Sequence, residues 1–153
     1  MARRKARELA FRALFQAERG GSELLDVWRQ IQGDELSQPA GDDADGAVYG
    51  DRLDSEGLEF ATRLVTAFAE NKAEIDAKLA GVIEGWSFTQ MAQTDLNVLR
   101  LALTEFLFES GVPPEVTMEM AVRIAKKYGG EESGRFVNGV LARLHRQLTE
   151  VRS

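Results

Sequence analysis

The residues best suited to chemistry are four cations near the start of the chain, Arg3, Arg4, Lys5 and Arg7. If this segment is helical, Arg3 and Arg7 lie one turn apart on one side, with Arg4 beside them. A guanidinium group binds phosphate through paired hydrogen bonds and also stacks on unpaired bases. The spacing is therefore compatible with contact to successive phosphates of single-stranded RNA. Taken alone, a basic helix start is more often a solvated surface, although cations there oppose the helix dipole.

A second candidate lies near the end of the chain, where Arg135 and Phe136 follow a Gly129-Gly130 turn. Phe136 could provide a stacking platform for a base. Its helical register with Val140 favours a position in the core instead. Both interpretations stay open at this point.

The sequence offers little for catalysis. His145 is the single histidine, and no serine or cysteine in a nucleophile context accompanies it. Adjacent acids such as Asp42-Asp43 and Glu131-Glu132 lie in predicted loops or helix starts, where solvation and capping account for them. The glycine loops GxxxxGKS, GxxxxGKT and GxGxxG, which hold phosphates, are absent. With no cysteine either, we predict no catalytic residue, no cofactor and no metal site.

The chain has 153 residues and a formal net charge of −6, but the charge is unevenly distributed. Residues 1–19 contain six bases and two acids, residues 33–59 one base and nine acids, and residues 123–153 seven bases and three acids. This asymmetry is compatible with one polyanionic partner and one basic partner. No apolar run is long enough for a membrane span or a secretion signal. We therefore expect a soluble cytoplasmic protein with no membrane partner.

Helical periodicity dominates the elements that must position these residues. About seven segments have apolar residues at three- and four-residue spacing, namely 3–19, 22–32, 55–68, 71–84, 94–107, 118–128 and 133–148. No segment alternates as a strand does, so the fold class is all-α, with two packed sub-bundles. We interpret Gly139 as a close approach between helices. The acidic, glycine-containing segment at about 33–54 is predicted to be a mobile loop within a single domain spanning residues 1–153.

Several segments, in this order and spacing, together resemble one family. They are Ala2–Glu8 with Ala13–Gln16, Asp95–Leu103 with Glu105, Pro113–Val116, Ala125–Gly129 and Phe136–Leu141, which reads FVNGVL. The chain is similar to the NusB transcription antitermination factors, and the matching segments span nearly its whole length. The family usually has Tyr where Thr104 stands and Asn where Glu119 stands, differences that we expect to concern packing and capping.

The resemblance implies an all-helical fold of two sub-bundles without enzymatic activity. NusB-like proteins bind the single-stranded boxA element of nascent ribosomal-operon RNA together with NusE, a ribosomal protein that doubles as a transcription factor. The heterodimer loads onto the RNA polymerase elongation complex and favours read-through of terminators. The same activity is what we expect of this chain.

The resemblance also implies roles for particular residues. The implied RNA contacts are Arg3, Arg4, Lys5, Arg7, Glu132, Arg135 and Phe136. The implied NusE contacts are Phe15 and Asp95. Two other classes of protein stay open: a helical protein–protein adaptor that binds no RNA, and the regulatory subunit of an RNA methyltransferase, which would require a separate catalytic subunit.

Overall fold

The computed structural model describes residues 3–37, 53–83 and 91–152. Within these ranges the chain forms six α-helices and no strand, which confirms the predicted all-α class. The helices are α1 (Arg4–Gly20), α2 (Leu24–Ser37), α3 (Ser55–Val82), α4 (Gln93–Phe108), α5 (Pro114–Gly129) and α6 (Glu131–Arg152). The chain divides into two compact units, Met1–Ala69 and Glu70–Ser153. Among the described residues, no helix combines the length and the apolar character that crossing a bilayer requires.

The third and fourth predicted helices are continuous in the structure, so six helices are described where the sequence predicted about seven. Their predicted junction is a kink inside α3, where Asn71 has the non-helical angles φ −126° and ψ 22°. Asparagine favours such positions because its short amide side chain competes with the helical backbone for hydrogen bonds. The kink lies two residues from the boundary between the two units.

Helix α1 ends at Gly20, one residue beyond the segment 3–19 that the periodicity predicted, and the glycine pair Gly20-Gly21 forms its end. Gly21 has the left-handed φ of 64°, and the N–H group of Ser22 donates to the Ala17 carbonyl at 3.2 Å. In the same unit, Trp28 Nε1 of α2 donates to Thr62 Oγ1 of α3 at 3.1 Å, which ties these two helices together.

One predicted boundary is wrong. The sequence predicted that α2 would end before Gly33, but the helix continues to Ser37. A glycine inside a helix costs about 1 kcal/mol relative to alanine and does not by itself end the helix. Residues 38–52, which make up most of the predicted acidic loop, lie outside the described residues. The next helix, α3, is capped by Asp54, whose Oδ1 accepts from the Gly57 N–H group at 2.7 Å.

In the second unit, the apolar helix α4 also carries buried polar groups. The guanidinium group of Arg100 donates from Nε and Nη2 to the two carboxylate oxygens of Asp76, at 2.9 and 3.0 Å. Thr117 Oγ1 of α5 donates to the buried carboxylate of Glu105 at 2.6 Å. Arg100 and Glu105 therefore each have a partner on another helix, which fixes the register of these elements.

The two departures from the family pattern have different consequences. Thr104 is fully buried, and its Oγ1 donates to the Arg100 carbonyl at 2.7 Å, so it belongs to the packing of α4. Glu119 lies on the surface and forms an ion pair with Arg123 at 3.0 Å. The expected capping role of Glu119 is therefore replaced by a pairing within α5.

The close helix approach predicted at Gly139 is also wrong. A Cβ atom added at Gly139 would meet no heavy atom within 4 Å among the described residues. Close approaches occur at Gly129 and Gly134 instead. An added Cβ would lie 2.8 Å from Ser133 Cβ at Gly129, and 2.6 Å from Lys126 Cγ at Gly134. The crowded glycines therefore flank the turn between α5 and α6, whereas Gly139 lies further along α6.

Candidate nucleic-acid interface

The four N-terminal cations differ in their access to solvent. Arg3, Arg4 and Lys5 are half-buried, whereas Arg7 is only 3% exposed. The reason is that α1 is buried continuously over residues 6–11, on all sides of its axis. The expected open surface is therefore limited to the first three cations, and Arg7 lies beneath it.

A buried aromatic ring organises this cluster. The guanidinium carbons of Arg3 and Arg7 lie 4.7 and 5.0 Å from the ring centroid of Phe60, a fully buried residue of α3. A third guanidinium, from Arg63 one turn further along α3, lies 5.6 Å from the same centroid. These distances are within the range of cation–π attraction. We call Phe60 with Arg3, Arg7 and Arg63 the Phe60 cluster.

Arg4 is held differently. The Nη1 atom of Arg4 lies 3.9 Å from Oε2 of Glu8, which stands one turn further along α1. Only 17% of the Arg4 side chain and 7% of the Glu8 side chain are exposed. This pair leaves the Arg4 side chain only partly exposed, near the amino-terminal end of α1. The charge of Arg4 is therefore partly balanced by Glu8.

The second candidate surface surrounds the turn between α5 and α6. Gly130 has a φ of 92°, a conformation that favours glycine. Glu132 and Arg135 on the following turn are exposed, while Phe136 is half-buried and Val137 is fully buried. Phe136 is therefore neither a fully enclosed core residue nor an open platform.

The structure brings the predicted RNA contacts together in two groups, one in each unit. Arg3, Arg4, Lys5 and Arg7 lie together in the first unit. Glu132, Arg135 and Phe136 lie together in the second. The two sites implied for NusE are likewise divided between the units.

Phe15 lies on α1 and is half-buried. The ring centroid of Phe15 is 5.8 Å from that of Phe11. The guanidinium carbon of Arg19 lies 5.6 Å from the Phe15 ring centroid. Phe15 thus presents part of an aromatic surface beside a cation. Such a surface suits a contact with another protein.

Asp95 lies in the first turn of α4 and has an unusual environment. Its Oδ1 atom is buried and accepts no hydrogen bond within the described residues. A buried carboxylate oxygen without a donor carries a desolvation cost. The Asp95 side chain as a whole is half-buried, so part of it is accessible to a partner.

The described residues show no group of three or more His, Cys, Asp or Glu side chains that could hold a metal ion. His145 is half-buried, with its ring centroid 6.1 Å from that of Phe106. The sequence predicted that His145 would be a solvated surface residue, whereas in the structure it is half-buried against Phe106.

Sequence reasoning missed three residues that belong to these surfaces. Phe60 and Arg63 are spaced i and i+3 on α3, a signal that indicates a shared helix side but does not reveal which partners converge there. Tyr128, at the end of α5, is 43% exposed, and Lys127 Nζ lies 5.7 Å from its ring centroid. Exposure of so large a ring could not be read from the helical pattern alone.

Comparison with known proteins identifies the family and the fold. The model of the NusB family matches residues 4–146. A relative from Thermus thermophilus, named transcription antitermination protein NusB, is 47% identical over 146 residues, covering 95% of this chain and 91% of the relative. The structure of T. maritima NusB aligns with a TM-score of 0.77 at 36% identity, covering 94% of this chain and 90% of that one. A structure of antitermination factors NusB and NusE in complex with double-stranded RNA shares the fold, with a TM-score of 0.79 at 23% identity over 95% of this chain and 97% of that one. The chain belongs to the NusB family.

Proposed function

We propose that this protein is a cytoplasmic transcription antitermination factor. In this proposal it binds the single-stranded boxA element of nascent ribosomal-operon RNA together with NusE, and promotes read-through by the RNA polymerase elongation complex. The observation that carries the proposal is the convergence of N-terminal arginines on the Phe60 ring in a chain that is 47% identical to an antitermination protein. It is a binding function, in keeping with a family of regulators rather than enzymes.

The RNA contacts follow from solvent access and charge. Arg3, Arg4 and Lys5 are accessible enough to contact phosphates directly. Arg7, which is 3% exposed, supports them from beneath by adding positive potential and by packing on the Phe60 ring. Neutralising phosphates releases counterions from the RNA and makes binding dependent on salt.

The turn between α5 and α6 supplies the second set of contacts. Arg135 is exposed and can reach a phosphate or stack on a base, and half-buried Phe136 presents part of its ring. Glu132 lies beside them and carries a negative charge, so it suits a hydrogen bond to a base edge better than a contact with phosphate.

Asp95 and Phe15 are the proposed contacts with NusE. The half-buried carboxylate of Asp95 would accept a hydrogen bond from NusE, and the exposed part of the Phe15 ring would pack against NusE. A net charge of −6 favours association with a basic ribosomal protein. Binding RNA and NusE on one protein raises the effective concentration of each for the other.

The test of RNA binding is a titration of boxA RNA at two salt concentrations, with and without NusE. The variant Arg3→Gln/Arg4→Gln should bind less tightly, and the slope of log K against log salt should fall by about 0.7 for each lost phosphate contact. Arg29→Gln is the matched control, because Arg29 belongs to the same unit, is 74% exposed and is paired with Asp26. Equal affinities and slopes for both variants would contradict RNA binding by these residues and favour the protein adaptor.

The test of the NusE contact uses Asp95→Asn. The change should weaken NusE binding roughly tenfold, since a hydrogen bond to a charged group contributes about 1.5–3 kcal/mol. RNA binding without NusE should stay the same. Glu119→Gln is the control in the same unit, because this exposed glutamate pairs with Arg123. If Asp95→Asn and Glu119→Gln bind NusE equally well, Asp95 is not a contact.

A further inference from the structure

Lys126, in the last turn of α5, is a cation that neither the N-terminal motif nor the family resemblance assigned to RNA. Its side chain lies across Gly134 of α6. A Cβ atom added at Gly134 would lie 2.6 Å from Cγ, 3.4 Å from Cδ and 3.0 Å from Cε of Lys126. The two shorter distances leave no room for a methyl group, so the lysine stem follows this course only because residue 134 is glycine.

This course brings Lys126 to the second candidate surface. Its Nζ atom lies 3.8 Å from Oε2 of Glu131, in the first turn of α6. Gly134, which the stem crosses, is the chain neighbour of the exposed Arg135. Consecutive Cα atoms are about 3.8 Å apart, so the stem of one exposed cation passes beside the residue that carries another. The turn thus receives one cation from each of its two helices.

Glu131 is the acidic partner of Lys126, and the pair that they form is weak. Both side chains are exposed, and 3.8 Å is too long for a hydrogen bond. Water solvates both charges of such a pair, which therefore contributes little. A phosphate group can replace the carboxylate beside Nζ, and its binding also releases counterions from the RNA. Contact with RNA therefore exchanges a weak partner for a stronger one and does not require an unpaired lysine in the free protein.

We propose that Lys126 contacts an RNA phosphate at the turn between α5 and α6. In this inference Gly134 positions the lysine stem, and Glu131 holds the ammonium group until the phosphate replaces it. The inference rests on the proposed RNA-binding function. It predicts that the RNA strand passes over the end of α5 as well as the start of α6, within the second unit.

A purely structural role accounts less well for this arrangement. A cation in the last turn of α5 favours the helix dipole, but Lys127 lies in the same turn and supplies that interaction too. A glycine inside α6 destabilises the helix relative to alanine. Holding a lysine stem in one position also costs side-chain entropy. Alanine at position 134 would cover the same backbone with its own methyl group and avoid both costs.

The experiment compares Lys126→Gln with Arg123→Gln in the full-length chain. Both substitutions remove one positive charge from α5 and break an exposed ion pair. Arg123, however, pairs with Glu119 one turn earlier in the same helix, at 3.0 Å, and not with the turn between α5 and α6. Binding to boxA RNA is measured by titration between about 0.05 and 0.3 M salt. Urea denaturation of each variant verifies that the fold is intact.

One phosphate contact on a single strand changes the slope of log K by about 0.7, which corresponds to roughly fivefold in affinity at 0.1 M salt. Loss of the pair with Glu131 on binding offsets part of this gain. Lys126→Gln should therefore bind about threefold more weakly with a shallower slope, and Lys126→Arg should retain most of both. Arg123→Gln should match the unchanged protein. A Lys126→Gln variant with the affinity and slope of Arg123→Gln overturns the inference.

The role of Gly134 is tested by Gly134→Ala. The added methyl group takes the space of the flexible stem, so this variant should bind RNA about as weakly as Lys126→Gln, and combining the two changes should weaken binding no further. Gly139→Ala is the control in the same helix, because its added Cβ would meet nothing within 4 Å among the described residues. If Gly134→Ala binds RNA as Gly139→Ala does, or if its effect adds to that of Lys126→Gln, Gly134 does not position the lysine.

The role of Glu131 is tested in the same way. Glu131→Gln should strengthen RNA binding by about twofold at low salt in the unchanged protein, and by less when Lys126→Gln is also present. An equal gain in both backgrounds would mean that Glu131 acts on RNA without Lys126.

The outcomes also separate this inference from the proposed function. If Arg3→Gln/Arg4→Gln weakens binding while Lys126→Gln does not, only the assignment of Lys126 fails. If neither variant changes RNA binding, the proposed function fails with it. A loss of affinity without a change of slope would exclude a phosphate contact by Lys126.

Discussion

The two candidate RNA-binding regions are held in place in different ways. In the first unit, the Phe60 cluster fixes guanidinium groups against a buried ring. In the second unit, crowded glycines fix the backbone of the turn between α5 and α6, and the charged side chains of Glu132 and Arg135 stand in solvent. One region is ordered through side-chain packing and the other through backbone geometry.

This difference determines how each region should respond to substitution. Where a buried ring positions the cations, a change to the ring affects both stability and the arrangement of charge. Where glycines shape the turn, a change to a glycine affects stability, while a change to an exposed charge affects binding alone. The predictions below test this separation.

The largest effect is expected at Phe60. Phe60→Leu should lower the free energy of unfolding by roughly 3 kcal/mol, because the core packs less well and several cation–π contacts are lost at the same time. RNA affinity should also fall, by about fivefold or more, since Arg3 and Arg7 lose their common support. Both quantities are measured, by urea denaturation and by RNA titration at a temperature where the variant is folded.

Phe11→Leu is the control for this change. Phe11 is also buried in the first unit, and its ring centroid lies 5.8 Å from that of Phe15. It should lose about 1 kcal/mol of stability, as repacked hydrophobic substitutions do, and keep its RNA affinity. If both variants lose RNA affinity equally, the ring of Phe60 has no special role in positioning the cations.

The next effect is expected at the glycines of the second unit. Gly129→Ala should lower the free energy of unfolding by about 2 kcal/mol, since the new methyl group would overlap Ser133 and overpacking carries a cost of this order. The crowding is direct, because the added Cβ would lie 2.8 Å from Ser133 Cβ. Urea denaturation gives the result.

Gly139→Ala is the matched substitution in the same unit. Its added Cβ would meet nothing within 4 Å among the described residues, and Gly139 has helical backbone. It should raise stability by about 0.5–1 kcal/mol, because alanine loses less conformational entropy than glycine in a helix. Destabilisation by Gly139→Ala would restore the close helix approach that the sequence predicted there.

Arg135→Gln tests whether the exposed charges of the second region act on binding alone. Removing one phosphate contact should weaken boxA binding roughly fivefold at 0.1 M salt. The free energy of unfolding should stay within about 0.5 kcal/mol of the unchanged protein, as for most exposed substitutions. Arg123→Gln, an exposed arginine of the same unit paired with Glu119, should leave RNA binding unchanged.

Helical periodicity and glycine pairs were sufficient to predict the fold class and most helix positions, because amphipathic spacing and chain reversal are local properties. Gly20-Gly21 ended α1 as predicted, and Asn71 marked a real break in helical geometry. The sequence could not show that α3 continues through that break. The same residue types mark a kink within a helix and a complete break between two helices, and tertiary packing decides which of the two forms.

The candidate site was less accessible to prediction, because it depends on which residues converge from distant parts of the chain. The N-terminal cations were recognised from their types and spacing. Arg3, Arg7 and Arg63 all lie against the ring of Phe60, a residue more than fifty positions away along the chain from Arg3. A helical pattern shows which side of a helix is apolar, but not which cations share one ring.

The smallest effect is expected for Glu131→Gln. Glu131 Oε2 lies 3.8 Å from Lys126 Nζ, with 70% and 48% of the two side chains exposed, so the pair contributes little. Its position in the first turn of α6 adds a dipole interaction, and together these should lower the free energy of unfolding by less than about 1 kcal/mol. Releasing Lys126 and removing one negative charge beside the turn should strengthen RNA binding slightly, by about twofold at low salt. A loss of affinity would mean that the Lys126–Glu131 pair shapes the RNA surface, and the second region would then depend on side-chain contacts as the Phe60 cluster does.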